Sequence, residues 1–151
     1  MLNDAGKSGF TLLETMVGVL LMSILSVGMV PLFVPVMNFV NVQGAAEQLT
    51  SALQNMQSVA RLTDEPTTLF LAPYNPEYFL YTDRGYVDMR KFPVGVRYQD
   101  GYLEMMTGKI SYAPSGISST AGTVVLESGS SSASVHLYMG SGLAVNARWL
   151  P

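Results

Sequence analysis

The sequence predicts an α+β protein: a long N-terminal hydrophobic helix, membrane-spanning and then amphipathic, packed on a C-terminal antiparallel β-sheet or sandwich domain. Three observations predict it. Between Glu14 and Glu47 the 151-residue chain holds no Asp, Glu, Lys or Arg, a run longer than the roughly 20 apolar residues that cross a bilayer. Apolar positions then recur at three- and four-residue spacing as far as Leu62, the period of a helix with one buried face. After "LTDEP" the period falls to two, the mark of strands that turn one face inward. The expected divisions are 1–9, 10–42, 43–63 and 64–151.

Residues 1–9, MLNDAGKSG, are short, polar and glycine-bearing, and Lys7 with the terminal amine places positive charge before the apolar run. No other Lys or Arg precedes Arg61, so the positive-inside rule predicts a single-pass protein with a cytoplasmic N-terminus and an exported C-terminal domain. An ordinary secretory signal has an apolar core of about 7 to 15 residues that ends at a small-residue cleavage site. Here the run extends from Phe10 to Val42. That length favours an anchor over a discarded signal. Gly28, Pro31 and Pro35 fall inside it, and each proline lacks an N–H and crowds the carbonyl four residues earlier. The helix is expected to weaken or bend there, in a setting where neighbouring helices satisfy the freed carbonyls.

From Gln43 to Leu62 the apolar positions Ala45, Ala46, Leu49, Ala52, Leu53, Met56, Val59 and Ala60 form one stripe, which predicts an amphipathic helix covering the core of the next domain. Candidate strands follow at 67–72, 77–82, 86–92, 95–99, 102–106, 109–113, 123–128, 133–139 and 143–149. They are short, rich in Val, Ile, Tyr and Phe, and punctuated by Gly, Pro, Asn, Asp and Ser, as in an antiparallel sheet. The polar pieces SGSSSA (128–133) and PSGISSTAG (114–122) read as connections, and GSG (140–142) as a hairpin turn.

Composition removes several kinds of chemistry. The chain has no Cys and one His, so thiol catalysis, disulfides, a His-based triad and the usual zinc sites cannot be assembled. His136 alternates with Val135 and Leu137 and is expected on a solvated strand face. The carboxylate pairs Asp64/Glu65 and Asp83/Asp88 read as turn and surface residues. "GKS" at 6–8 lacks the preceding strand and glycine loop of a phosphate site. Arg84, Arg90, Lys91 and Arg97 lie among Tyr86, Phe92 and Tyr98, but Asp83, Asp88 and Asp100 are interspersed and the net charge is −3. That balance disfavours direct nucleic acid binding. No cofactor is expected and the chain is not expected to be an enzyme.

Glu14 is the exception to the apolar run. A charge at a bilayer centre costs about 2.5 to 3.5 kcal/mol on insertion scales, so a carboxylate there needs a partner or a task. "KSGFTLLE" followed by an uncharged helix closely resembles the class III signal of type IV prepilins and pseudopilins. The resemblance implies a 1–9 leader peptide, cutting between Gly9 and Phe10 by a prepilin peptidase on the cytoplasmic side, N-methylation of Phe10, and Glu14 as the filament-assembly carboxylate. It also implies that Pro31 lies near the depth where many pilins carry a proline.

The segments KISYAPSGISSTAGTVVLESG and SVHLYMGSGLAVNARW are similar to the minor pseudopilins of the H type in type II secretion and the D type (ComGD) in competence. That likeness implies a minor structural subunit, most closely one of a competence pseudopilus for DNA uptake, located in the cell membrane and at the cell surface when assembled. Its implied partners are other pilins or pseudopilins, the prepilin peptidase, a platform protein, an assembly ATPase and membrane lipid. The alternatives are a type II secretion pseudopilin, a minor type IV pilin, an uncleaved membrane-anchored binding protein, and, with only scattered carboxylates and serines behind it, an anchored hydrolase.

Overall fold

A computed structural model describes residues 11–99 and 108–147, without the side chains of residues 28–30, 32 and 147. Gly9, Phe10, Asp100 and the expected strand at 102–106 lie outside the described residues. The chain divides into two units, Met1–Val34 and Pro35–Pro151.

Helix α1, Leu12–Thr63, begins in the first unit and ends in the second, and its assignment runs through Gly28, Pro31 and Pro35 without a break. Its start is capped by Thr11, whose carbonyl accepts from the amides of Glu14 at 3.0 Å and Thr15 at 3.2 Å. Its end is set by Asp64, whose φ of 55° takes the left-handed conformation that closes helices. Arg61 lies in the last turn, where a cation meets the negative end of the helix dipole.

In the second unit α1 buries the stripe its spacing predicts. Val42, Ala45, Ala46, Leu49, Ala52, Leu53, Met56 and Ala60 are buried, while Val59 is half-buried. The many alanines let backbones approach closely. Polar side chains flank the stripe and hold the β domain: Asn41 donates to the Val94 carbonyl at 3.3 Å and Gln48 to that of Lys91 at 3.3 Å. The buried Thr67 hydroxyl donates to the Met56 carbonyl at 3.0 Å.

Eight strands follow: β1 Thr67–Leu71, β2 Glu77–Thr82, β3 Gly85–Lys91, β4 Arg97–Gln99, β5 Lys109–Tyr112, β6 Gly122–Ser128, β7 Ser131–Leu137 and β8 Ala144–Ala147. They form two four-stranded sheets of order β3-β2-β1-β5 and β4-β6-β7-β8, and every pairing is antiparallel. The chain therefore passes from the first sheet to the second at β4, returns for β5, and finishes in the second. Leu69, Leu71, Tyr78, Leu80, Ile110 and Tyr112 of the first sheet join Tyr98, Val124, Leu126, Ala133, Val135 and Leu137 of the second in one core with the helix stripe.

The expected 128–133 connection is shorter than its composition suggests. Ser128 pairs with Ser131, so only Gly129 and Ser130 lie outside the strands, and Gly129 supplies the positive φ of 57° that a two-residue hairpin needs. Serine is common in turns, yet here the ladder of β6 and β7 holds Ser131 and Ser132 in register. His136 also departs from expectation: it is half-buried, and its Nδ1 lies 2.8 Å from the Thr123 hydroxyl on the neighbouring strand. As β7 is an inner strand, its outer face is partly covered.

Candidate functional site

The described part of the first unit is Thr11 and the helix from Leu12 to Val34. Thr11 caps it through its side chain as well as its carbonyl: the Glu14 amide donates to Thr11 Oγ1 at 3.3 Å. Thr-x-x-Glu at 11–14 is the capping-box spacing, and Glu14, exposed in the first turn, stands where the helix dipole favours a negative charge. This local role was missed from sequence, where the Thr-x-x-Glu spacing was the available signal, and it is additional to any role in assembly. It explains how a helix can start at Leu12 with a carboxylate close by; the ion pairs found among the described residues do not involve that carboxylate.

Glu14, Thr15, Gly18, Val19, Met22, Ser23 and Ser26 line one groove along this helix. The hydroxyls in it are internally satisfied: Thr15 donates to the Leu12 carbonyl at 2.8 Å, Ser23 to Val19 at 2.8 Å and Ser26 to Met22 at 2.7 Å. Back-bonded hydroxyls add no unpaired donor when the face is buried. At Gly18 nothing stands within 4 Å of where a Cβ would be. Such a face of small and self-satisfied residues suits close packing of helices in an apolar surrounding.

The rest of this surface is apolar on all sides, with Leu12, Leu13, Met16, Val17, Leu20, Leu21, Ile24 and Leu25 exposed. A helix apolar all round belongs inside a larger bundle or a membrane. Among the described residues, no helix is long and apolar enough to cross a membrane. The uncharged run of the sequence includes positions 28–30 and 32, which are outside the described side chains.

Three basic residues of the β domain are paired with acids. Arg84 Nη2 is paired with Glu65 at 2.8 Å, Arg90 with Asp88 at 3.1 Å and Lys91 with Glu77 at 2.9 Å. Local acids thus neutralise three of the four cations that the sequence singled out. Among the described residues, no cluster of His, Asp and Glu could hold a metal ion.

Buried tyrosines carry the perturbed acidities. Burial pushes the Tyr112 phenol up, and its hydroxyl donates to the Gly142 carbonyl at 3.4 Å. Burial likewise raises Tyr78, an effect that nearby Arg90 and the Gln48 amide partly offset.

At the end of the domain where α1 stops, Gln57 Nε2 donates to the carbonyls of Gly116 and Ser141, both at 2.7 Å. One helix side chain thereby fastens the PSG loop and the GSG turn. Gly142 closes that turn with φ +64°, and a Cβ there would stand 2.6 Å from Gln57 Nε2 and 2.8 Å from the Gly116 carbonyl.

No curated protein and no solved structure matches this chain significantly. Residues 4–30, which contain the capped helix start, Glu14 and the whole of the small-residue groove, match the family model of the prokaryotic N-terminal methylation motif, a signature that supports a type IV prepilin-like protein.

Proposed function

We propose that the chain is a minor pseudopilin, a structural subunit of a type IV filament-type machine, and specifically of a competence pseudopilus serving DNA uptake. The observation that carries the reading is Gly9-Phe10 followed by Glu14 at the head of an uncharged helix, within the matched methylation motif. The competence assignment rests only on the softer likeness of the C-terminal segments. A type II secretion pseudopilin or a minor type IV pilin would use the same N-terminus.

In this reading the protein is a substrate of the prepilin peptidase and not itself an enzyme. The apolar helix first holds the subunit in the membrane as a single pass, N-terminus inside and β domain exported. Cutting after Gly9 frees the amine of Phe10, and N-methylation follows. In a subunit joining the helical bundle, Glu14 then meets the amine of a neighbour's Phe10. An ion pair forms usefully in low dielectric when both charges would otherwise be desolvated and alone. The carboxylate thus favours docking in register, and Gly28, Pro31 and Pro35 mark the helix segment that can loosen as subunits pack. A platform protein and an assembly ATPase supply the movement.

Mass spectrometry of the N-terminus in cells with an active prepilin peptidase tests this. A methylated Phe10 start is expected, and Gly9→Leu should accumulate uncut precursor. An intact Met1 in the wild-type protein would establish the uncleaved, anchored binding protein instead. Deletion of the gene should abolish DNA uptake; unchanged uptake with lost secretion would move the subunit to the secretion machine.

A further inference from the structure

On the outer face of the first sheet, aromatic side chains stand where the period-two pattern leaves solvent. Phe70 of β1 pairs across to Phe79 of β2 and Thr68 to Tyr81, while on the other side Phe70 faces Lys109 and Thr68 faces Ser111 of β5. The Phe70 and Phe79 rings lie 6.4 Å apart. Tyr81 meets Tyr86 of β3 edge-on at 5.9 Å. These side chains alternate with Leu69, Leu71, Tyr78 and Leu80, which already fill the core. Phe70, Phe79 and Tyr81 stay half-buried and Tyr86 is exposed, so the row keeps ring surface open outside the core.

Thr68, Phe70, Tyr81 and Lys109 line an open cavity of about 480 Å³ on this face, within the range of small-ligand sites. Its walls are two aromatic rings. At its edge the Thr68 and Ser111 hydroxyls lie 3.0 Å apart, a pair that can both donate and accept. Lys109 is exposed, and the ion pairs found among the described residues involve Arg84, Arg90 and Lys91 but not Lys109.

A ligand for this arrangement needs an apolar ring face, several hydroxyls and one acidic group. We propose that the cavity binds an anionic saccharide, its pyranose ring on Phe70 and Tyr81, its hydroxyls bonded to Thr68 and Ser111, and its carboxylate at Lys109 Nζ. Sugar C–H groups meet the negative face of an aromatic ring favourably. A nucleic acid strand fits less well, because its phosphates call for several cations, whereas Lys109 alone among the lining residues is a cation and Arg84, Arg90 and Lys91 are paired with acids. A protein partner would need a far larger surface than this cavity. The proposal does not depend on the filament reading, since an uncut chain would carry the same face.

Calorimetric titration of the full chain, in a detergent that is not a glycoside, with cellobiouronic acid, which carries one carboxylate, neutral cellobiose and a single-stranded oligothymidylate tests it. The acidic disaccharide should bind most tightly, and added salt should weaken it. Lys109→Gln should reduce its affinity by about fivefold, as for one exposed charge contact, and leave cellobiose unchanged. Phe70→Ala should weaken both saccharides; Tyr81→Leu, which keeps apolar volume but removes the ring, does so without relying on the fold of the first variant. Absence of saccharide binding, tighter binding of the oligothymidylate, or saccharide affinities unmoved by Lys109→Gln and Tyr81→Leu would each overturn the assignment.

Discussion

Gln57 illustrates what one side chain can do at a distance. Its amide bonds carbonyls 59 and 84 positions further along the chain, and no local pattern in the sequence marks it among the other polar residues of the helix. Gln57→Ala should leave two carbonyls short of a donor and lower stability by about 1 to 3 kcal/mol, read as a lower urea midpoint of the full chain in detergent. An unchanged midpoint would mean that the two turns stand without the helix. Tyr112 and Tyr78 make a second residue-scale prediction. Burial raises both phenols above the ordinary value near 10.0, so the folded state holds its protons where the unfolded chain has released them. That stabilisation is complete below pH ~10 and is lost as the pH rises beyond it. The thermal midpoint should fall on the alkaline side, and Tyr112→Phe should flatten the fall. Glu14, by contrast, was readable at once, since a lone charge in an apolar run needs no tertiary information to stand out.

Among the elements, α1 has two surfaces with two different fates. Its second half is a stripe of small and medium apolar residues matched to the sheets, and Leu53→Ala should cost about 2 to 5 kcal/mol as a cavity opens in that core, measured by denaturant unfolding. Leu20→Ala, on the exposed first half, should leave the same transition in place. A drop as large as that of Leu53→Ala would show that the first half is packed against the domain. The strands were legible as alternations, and most boundaries moved by one or two residues because the ladder, not the residue type, ends a strand. β3 is an edge strand whose cations are paired with Asp88 and Glu77 and whose register shifts at Leu80/Tyr81, two features that discourage edge-to-edge pairing. The sequence showed the charges but not that they belonged to an edge.

For the whole molecule, function in the proposed reading lies in what the first unit meets outside the chain. Glu14→Val should insert into membranes as well as or better than the natural protein, because an apolar residue replaces a charge, while its incorporation into filaments falls. Normal amounts of the variant in sheared surface fractions would refute the ion-pair account of assembly. The sequence by itself determined the methylation motif, the uncharged run, the buried helix stripe and the alternating strands, all of which are patterns between near neighbours. Tertiary structure alone decided that β4 and β5 exchange sheets, that Gln57 ties two distant turns, that His136 is half-buried against Thr123, and that Phe70, Tyr81 and Lys109 share a cavity. The physical reason is that periodicity states which face of an element turns inward. Which edges then meet depends on packing two sheets and a helix around one core.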